Sequence, residues 1–218
     1  MHGMADSEHA ASLTGVSKPG RDMPQLSLPE RKSLVRRQVL ATRDKLSQDQ
    51  RKGAGQALLQ LLLELPELGM AGTVAAYVSI GSEPATRALI FALWKRGSYV
   101  LLPVLREDND LDWASYEGPS SVKPGRHGLL EPTESLRGPG AIASADFVIV
   151  PALAVGQDGV RLGRGGGSYD RALARVGPAV PTFALLYEGE LVDSVPAGDH
   201  DQRVRAVAQP TRGITRLS

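Results

Sequence analysis

The chain has 218 residues, 42% of them hydrophobic, with a formal net charge of +1 and no cysteine. That length and apolar content suffice for one well-buried α/β domain, and the near-neutral charge gives no general pull toward nucleic acid or anionic membrane, so any anion must be held by a local cluster. Without a thiol, disulfides, thiolate catalysis and cysteine-ligated zinc are excluded; with no apolar run of membrane-span length and no signal-peptide pattern, a soluble cytoplasmic protein is expected.

Residues 1–27 are rich in Ser, Gly, Pro and Ala without hydrophobic periodicity, which predicts a disordered extension that includes His2 and His9. A single folded domain is expected over 28–218. It opens with a helical segment: Leu28-Pro29-Glu30 suits the first turn of a helix running to about Leu46. Ser47 and Gln50 then form a capping-box signature for a second helix, stopped by Pro66.

From there strands and helices alternate. Residues 73–78 and 98–103 read as strands around an amphipathic helix over 84–95, a βαβ unit that calls for a parallel pair. Residues 111–116 alternate as an additional strand. The apolar runs 147–150 and 182–187 are two more, separated by a glycine loop and a helix over 169–175. The predicted class is α/β, with a mostly parallel central sheet flanked by helices, in which ligands gather at the carboxyl ends of strands.

Residues 161–171, Arg-Leu-Gly-Arg-Gly-Gly-Gly-Ser-Tyr-Asp-Arg, hold the inventory of a phosphate site. Gly163, Gly165, Gly166 and Gly167 can turn amide N–H groups onto an anion, Arg161 and Arg164 offer planar donor forks, and Asp170 could hold a cation among phosphate oxygens. A P-loop would need a lysine between Gly167 and Ser168. A dinucleotide fingerprint would follow a strand at once, whereas the strand-like run 146–151 lies about ten residues earlier. An RNA-binding arginine-glycine segment or a plain surface turn remains open on the motif alone.

The first helix adds cations. At about 100° per residue, Lys32, Arg36 and Arg43 share a stripe with Val39, adjoining Val35 and Leu46. Their stems could snorkel past the apolar contacts to water or to surface carboxylates, or the stacked Lys32–Arg36 pair could hold an anion between this helix and the sheet.

The run 161–171, the opening Lys32-Ser-Leu-Val-Arg36, the segment Tyr77-Val-Ser-Ile-Gly-Ser-Glu83-Pro-Ala-Thr86, the piece Gly128-Leu-Leu-Glu-Pro132 and the tail Val195-Pro-Ala-Gly-Asp-His-Asp201 occur in one order. Together they resemble the 5-formyltetrahydrofolate cyclo-ligase (5,10-methenyltetrahydrofolate synthetase) family over about residues 30–210. The resemblance implies a ligase that uses ATP and Mg²⁺ to convert 5-formyltetrahydrofolate, which can carry a polyglutamate tail, to 5,10-methenyltetrahydrofolate. ADP and phosphate are released after the formyl oxygen is phosphorylated. It implies nucleotide contacts from Lys32, Arg36, Arg161, Leu162, Gly163, Arg164, Gly165, Gly166, Gly167, Ser168 and Tyr169. Lys32 and Arg164 would be the catalytic cations, Asp170 and Asp201 the metal carboxylates, and Val78, Glu83, Ser168 and Tyr169 the folate pocket. No nucleic-acid or membrane partner is expected.

Four positions depart from that family's pattern. Ser168 stands where a tyrosine is usual, Pro84 where Val or Ile is usual, Glu190 where glutamine is common, and Arg205 in place of an acid. Two other function classes fit parts of the sequence: a nucleotide-binding regulator on the same scaffold without turnover, and an RNA-binding protein using the arginine-glycine segment.

Overall fold

The computed structural model describes residues 26–125 and 128–217, so all but the last two residues of the predicted extension, with His2 and His9, lie outside the described residues. The chain begins with α1 (Leu28–Asp44), opened by a reciprocal Ser27–Glu30 capping box. Ser47 and Gln50 cap α2 (Gln48–Leu63) in the same way. Such a box satisfies two backbone donors that a helix start leaves without partners. Pro66 does more than stop α2: at a position that needs no N–H it opens the short α3 (Pro66–Met70).

The sheet strands and helices follow as β1 (Thr73–Ala75), α4 (Arg87–Lys95), β2 (Tyr99–Leu105) and β3 (Leu111–Ser115). A small hairpin, β4 (Val122–Pro124) and β5 (Leu130–Pro132), precedes β6 (Phe147–Pro151). Then come β7 (Ala154–Gly156), β8 (Arg161–Leu162), α5 (Ser168–Leu173), β9 (Thr182–Leu185), β10 (Leu191–Val192), β11 (Ala206–Gln209) and β12 (Gly213–Arg216).

Seven strands form the central sheet in the order β12-β11-β9-β6-β1-β2-β3. Its inner strands are parallel, and antiparallel β3 and β12 close the two edges. The expectation of a mostly parallel sheet flanked by helices therefore holds. The chain winds outward from β1 to β3, returns to lay β6 on the other side of β1, and winds outward again to β12. The direction reverses between β1 and β6, and that switch point leaves a crevice at their carboxyl ends.

Side-chain alternation builds a core on each face of the sheet. Val74, Val100, Leu102, Phe147, Ile149, Phe183 and Leu185 pack with Leu58 and Leu62 of α2, Leu68 of α3 and Leu89, Ile90 and Leu93 of α4. Their neighbours Ala75, Leu101, Val148, Val150 and Ala184 face the other way, against Ala172 and Leu173 of α5 and Ile142 of a 3₁₀ turn. Phe147 and Phe183 are fully buried with ring centroids 4.7 Å apart, a contact worth about 0.5–1.5 kcal/mol beyond their area burial.

The first helix packs elsewhere. Val35 and Val39 rest on Ala154, Val160, Leu162 and Val195, the core of a second small sheet of order β10-β7-β8. Its basic stripe is thereby laid along the glycine loop that leaves β8.

Some boundaries differ from the sequence reading. The strand predicted over 73–78 leaves the ladder after Ala75, and the helix predicted from Pro84 starts at Arg87. Thr86 explains both: its hydroxyl donates to the Tyr77 carbonyl at 2.6 Å and accepts the Ser79 N–H at 2.9 Å, folding 77–86 into a loop over the sheet end. The glycine run does follow a strand at once, because β8 ends at Leu162; that strand is two residues long and antiparallel to β7, unlike the strand of a dinucleotide unit. Strands β4, β5, β7, β8, β10, β11 and β12 are additions to the sequence reading.

Candidate active site

Three loops meet where β1 and β6 end: residues 76–86, residues 151–153 and the glycine loop 163–167. With the N-terminal half of α1 they enclose a cleft of about 890 Å³. Lys32, Arg36, Val78, Glu83, every residue from Arg161 to Asp170, and Asp201 all line it. The sequence-predicted site residues are thus brought into one concavity from elements far apart in the chain.

The glycine loop has its shape for local reasons. Gly165 takes φ +113°, a conformation closed to ordinary side chains, and a Cβ there would stand 3.4 Å from the Arg36 guanidinium carbon. Arg36 lies against the bare backbone and donates through Nε to the Gly163 carbonyl at 2.9 Å. Gly167, with φ +67°, is the N-cap of α5, so Asp170 does not cap that helix. Its Oδ1 instead accepts from Arg161 Nη2 at 2.9 Å and from the Gln202 N–H at 3.2 Å.

Charges in the cleft are arranged as pairs. Lys32 Nζ reaches Asp201 at 2.6 Å and Arg164 Nε reaches Glu83 Oε1 at 3.0 Å. Burial alone would raise the Asp201 carboxyl, but the Lys32 and Gly198 hydrogen bonds and the charges of Lys32 and Arg161 outweigh it and hold the group below the usual carboxylate range. Among the described residues no carboxylate pairs with Arg36, which leaves its remaining donors available to an anion. Tyr169 closes one wall; burial first, then the Glu83 charge, raise its phenol far above the ordinary range, so it remains a neutral hydroxyl. Its ring also faces the Arg161 guanidinium, 5.8 Å from the centroid.

Arg43, third member of the basic stripe, does not snorkel. Its side chain is 1% exposed and makes a bidentate pair with Glu190 at 2.7 and 2.8 Å, while Nη2 also donates to the Ala152 carbonyl at 2.7 Å. The pair pins α1 to the end of β6, and Ala152 lines the cleft.

No group of three or more His, Asp or Glu side chains converges among the described residues. Asp170 and Asp201 nevertheless supply two carboxylates on one cleft. Mg²⁺ is commonly held by one or two carboxylates, with phosphate oxygens and water completing its shell, so this donor set fits the protein's share of such a site.

A model of the 5-formyltetrahydrofolate cyclo-ligase family matches residues 29–210. The chain belongs to that family. Among its relatives are the 5-formyltetrahydrofolate cyclo-ligases of Mycolicibacterium smegmatis, 39% identical over 87% of this chain and 98% of the relative, and of Escherichia coli K12, 31% identical over 77% and 93%. The solved structure of Aquifex aeolicus 5,10-methenyltetrahydrofolate synthetase is similar with a TM-score of 0.74 at 28% identity, over 85% of this chain and 92% of that one.

The cyclo-ligase family match spans the whole set from Lys32 to Asp201. The departures fall at different places on this cyclo-ligase scaffold. Ser168 begins α5 and lines the cleft, Pro84 is buried in the 77–86 loop, Glu190 is the partner of Arg43, and Arg205 is exposed. Sequence reasoning missed the apolar wall made by Pro103, Leu105, Leu129 and Leu130, and missed Asn109 and Arg171. Asn109 carried a usable signal: it sits at φ +61° in the β2–β3 turn, within Asp108-Asn109-Asp110, residues that favour such turns. Leu129 and Leu130 lie in the piece 128–132 that carries the family resemblance but had no pocket role there, and Leu105 lies beyond the strand predicted over 98–103.

Proposed function

We propose that the protein closes 5-formyltetrahydrofolate to 5,10-methenyltetrahydrofolate with consumption of ATP, releasing ADP and phosphate. The observation that carries the proposal is the single cleft that Lys32 and Arg36 of α1, Arg161 of β8 and Arg164 of the glycine loop line together with Glu83 and Tyr169. Family membership supports the substrate, and the cations support the nucleotide.

The chemistry asks for alignment and charge neutralisation. A formyl group on nitrogen is a poor electrophile, so its oxygen takes the γ-phosphoryl group as the bond to ADP breaks. The 10-nitrogen then attacks the activated carbon, loses its proton, and the C–O bond breaks to release phosphate. No protein nucleophile is needed. Lys32 and Arg36 hold phosphates from the helix side, the amides of 163–167 and Arg161 hold them from the other, and Arg164 neutralises charge on the group in transit. Glu83 accepts from the N–H donors of the folate ring while Tyr169, Val78 and Ser168 pack beside it. Asp170 and Asp201 are the residues to hold Mg²⁺, which when bound neutralises phosphate charge; Lys32 and Arg161 then turn from these carboxylates to the nucleotide. Among the described residues no helix is long and apolar enough to cross a membrane.

The test is to follow formation of the methenyl product by its near-ultraviolet absorbance, with and without ATP and Mg²⁺. Turnover is expected only with both present, and product without ATP refutes the phosphorylation step. Lys32→Ala and Arg164→Ala should each lower turnover about 100-fold, the effect of removing charge stabilisation of roughly 3 kcal/mol.

A further inference from the structure

Glu83 and Arg164 come from two different loops that line the cleft, one after β1 and the other after β8, and they meet through the 3.0 Å bond from Arg164 Nε to Glu83 Oε1. The two partners are held unequally. Glu83 has a side chain only 7% exposed, and its other oxygen accepts the Ile80 N–H at 2.9 Å; Arg164 is 46% exposed and stands over Gly81, with Nη2 at 4.0 Å from where a Cβ would be. Glu83 is therefore the fixed member and Arg164 the one that can swing.

Each member is also the complement of a different ligand. A carboxylate accepts from N–H donors of a heterocycle, and a guanidinium donates to phosphate oxygens. While they hold each other, neither is fully available. The geometry points to the Glu83–Arg164 pair as a ligand-breakable link that couples the two ends of the cleft: a donor-rich heterocycle arriving at Glu83 releases Arg164 toward the polyphosphate, and a polyphosphate on Arg164 clears Glu83. The assignment of ligands to ends rests on the function proposed above. Coupling of this kind is reciprocal, so each ligand must raise the affinity for the other by the same factor.

The test uses nucleotide binding without any folate, measured by calorimetry with ATP and Mg²⁺ on the full chain. Four proteins are compared: wild type, Glu83→Gln, Arg164→Ala and the double variant. The pair is partly solvated, so releasing Arg164 by Glu83→Gln should tighten ATP binding about threefold. In the Arg164→Ala background, Glu83→Gln should change ATP affinity by much less, because the member it releases is gone. Equal ATP affinity in wild type and Glu83→Gln overturns the link. So does equal tightening with and without Arg164, which would be simple removal of a repulsive charge. Failure of the wild type to bind ATP overturns the proposed function itself, a result distinct from either.

Discussion

Arg43→Met removes the cation of the buried pair while keeping most of the side-chain volume, and it should be among the most damaging substitutions outside the cleft. Arg43 is 1% exposed, so the change leaves the Glu190 carboxylate buried with only the Tyr187 N–H to stabilise it, and leaves the Ala152 carbonyl without the Arg43 donor. Breaking a buried pair from one side costs about 3–5 kcal/mol. For a domain of this size that lowers Tm by roughly 6–20 °C. In the wild type, burial raises the Glu190 carboxyl more than Arg43 lowers it, so the variant should raise it further. A carboxyl higher in the folded than in the unfolded state binds more protons when folded. Stability is therefore lost as pH rises from the unfolded value through the folded one, and the deficit should be larger at pH 8 than at pH 5. Urea unfolding at both pH values measures this. Adding Glu190→Gln should recover most of the loss at pH 8, since the amide oxygen still accepts and no charge is buried. A single variant within about 1 kcal/mol of wild type, or a double variant no better than the single, refutes the reasoning.

Gly165→Ala should weaken ATP binding tenfold or more with the fold intact, because φ +113° strains any side chain there and the new Cβ crowds Arg36; unchanged calorimetric affinity would show that the loop accommodates it. Asp170→Asn should raise the Mg²⁺ concentration for half-maximal turnover, and an unchanged titration would confine Asp170 to orienting Arg161. Ser168→Tyr should change the KM for folate and barely move that for ATP. It should fall severalfold if the ring finds open cleft, worth about 0.5–1.5 kcal/mol, and rise if neighbours already fill the space; an effect confined to ATP, or none, places Ser168 outside the folate pocket.

The legible parts of the fold were continuous apolar runs and helix-start signatures. Phe147–Pro151 and Thr182–Leu185 are apolar on both faces, and Pro29 in the first turn of one helix and the box at Ser47 before the next placed two helix starts to within a residue. The small sheet was not legible, because strands of two or three residues such as Arg161–Leu162 are too short to show a period. Ala206–Gln209 escaped for another reason: small residues and a glutamine take an interior position through pairing with β9, not through β propensity. In the site, the glycine loop and the stripe of α1 announced themselves by composition. Which acid each cation meets did not, since the pairing of Lys32 with Asp201 or Arg43 with Glu190 is decided by topology. The inward turn of Arg43 was open on the stripe alone, and only the acid delivered by the β9–β10 turn settles it.

Contacts that define the cleft are separated by long stretches of chain: 169 residues between Lys32 and Asp201, 127 between Arg36 and Gly163, and 81 between Arg164 and Glu83. Contacts of high sequence separation close large loops and form late in folding. During synthesis the helix that carries Lys32 is made well before the acid it pairs with, which follows 169 residues later. A nascent or clipped chain lacking that acid has the basic helix without its counterweight. An assembled cleft is then a report on the integrity of the whole stretch from Lys32 to Asp201, not of any one segment in it.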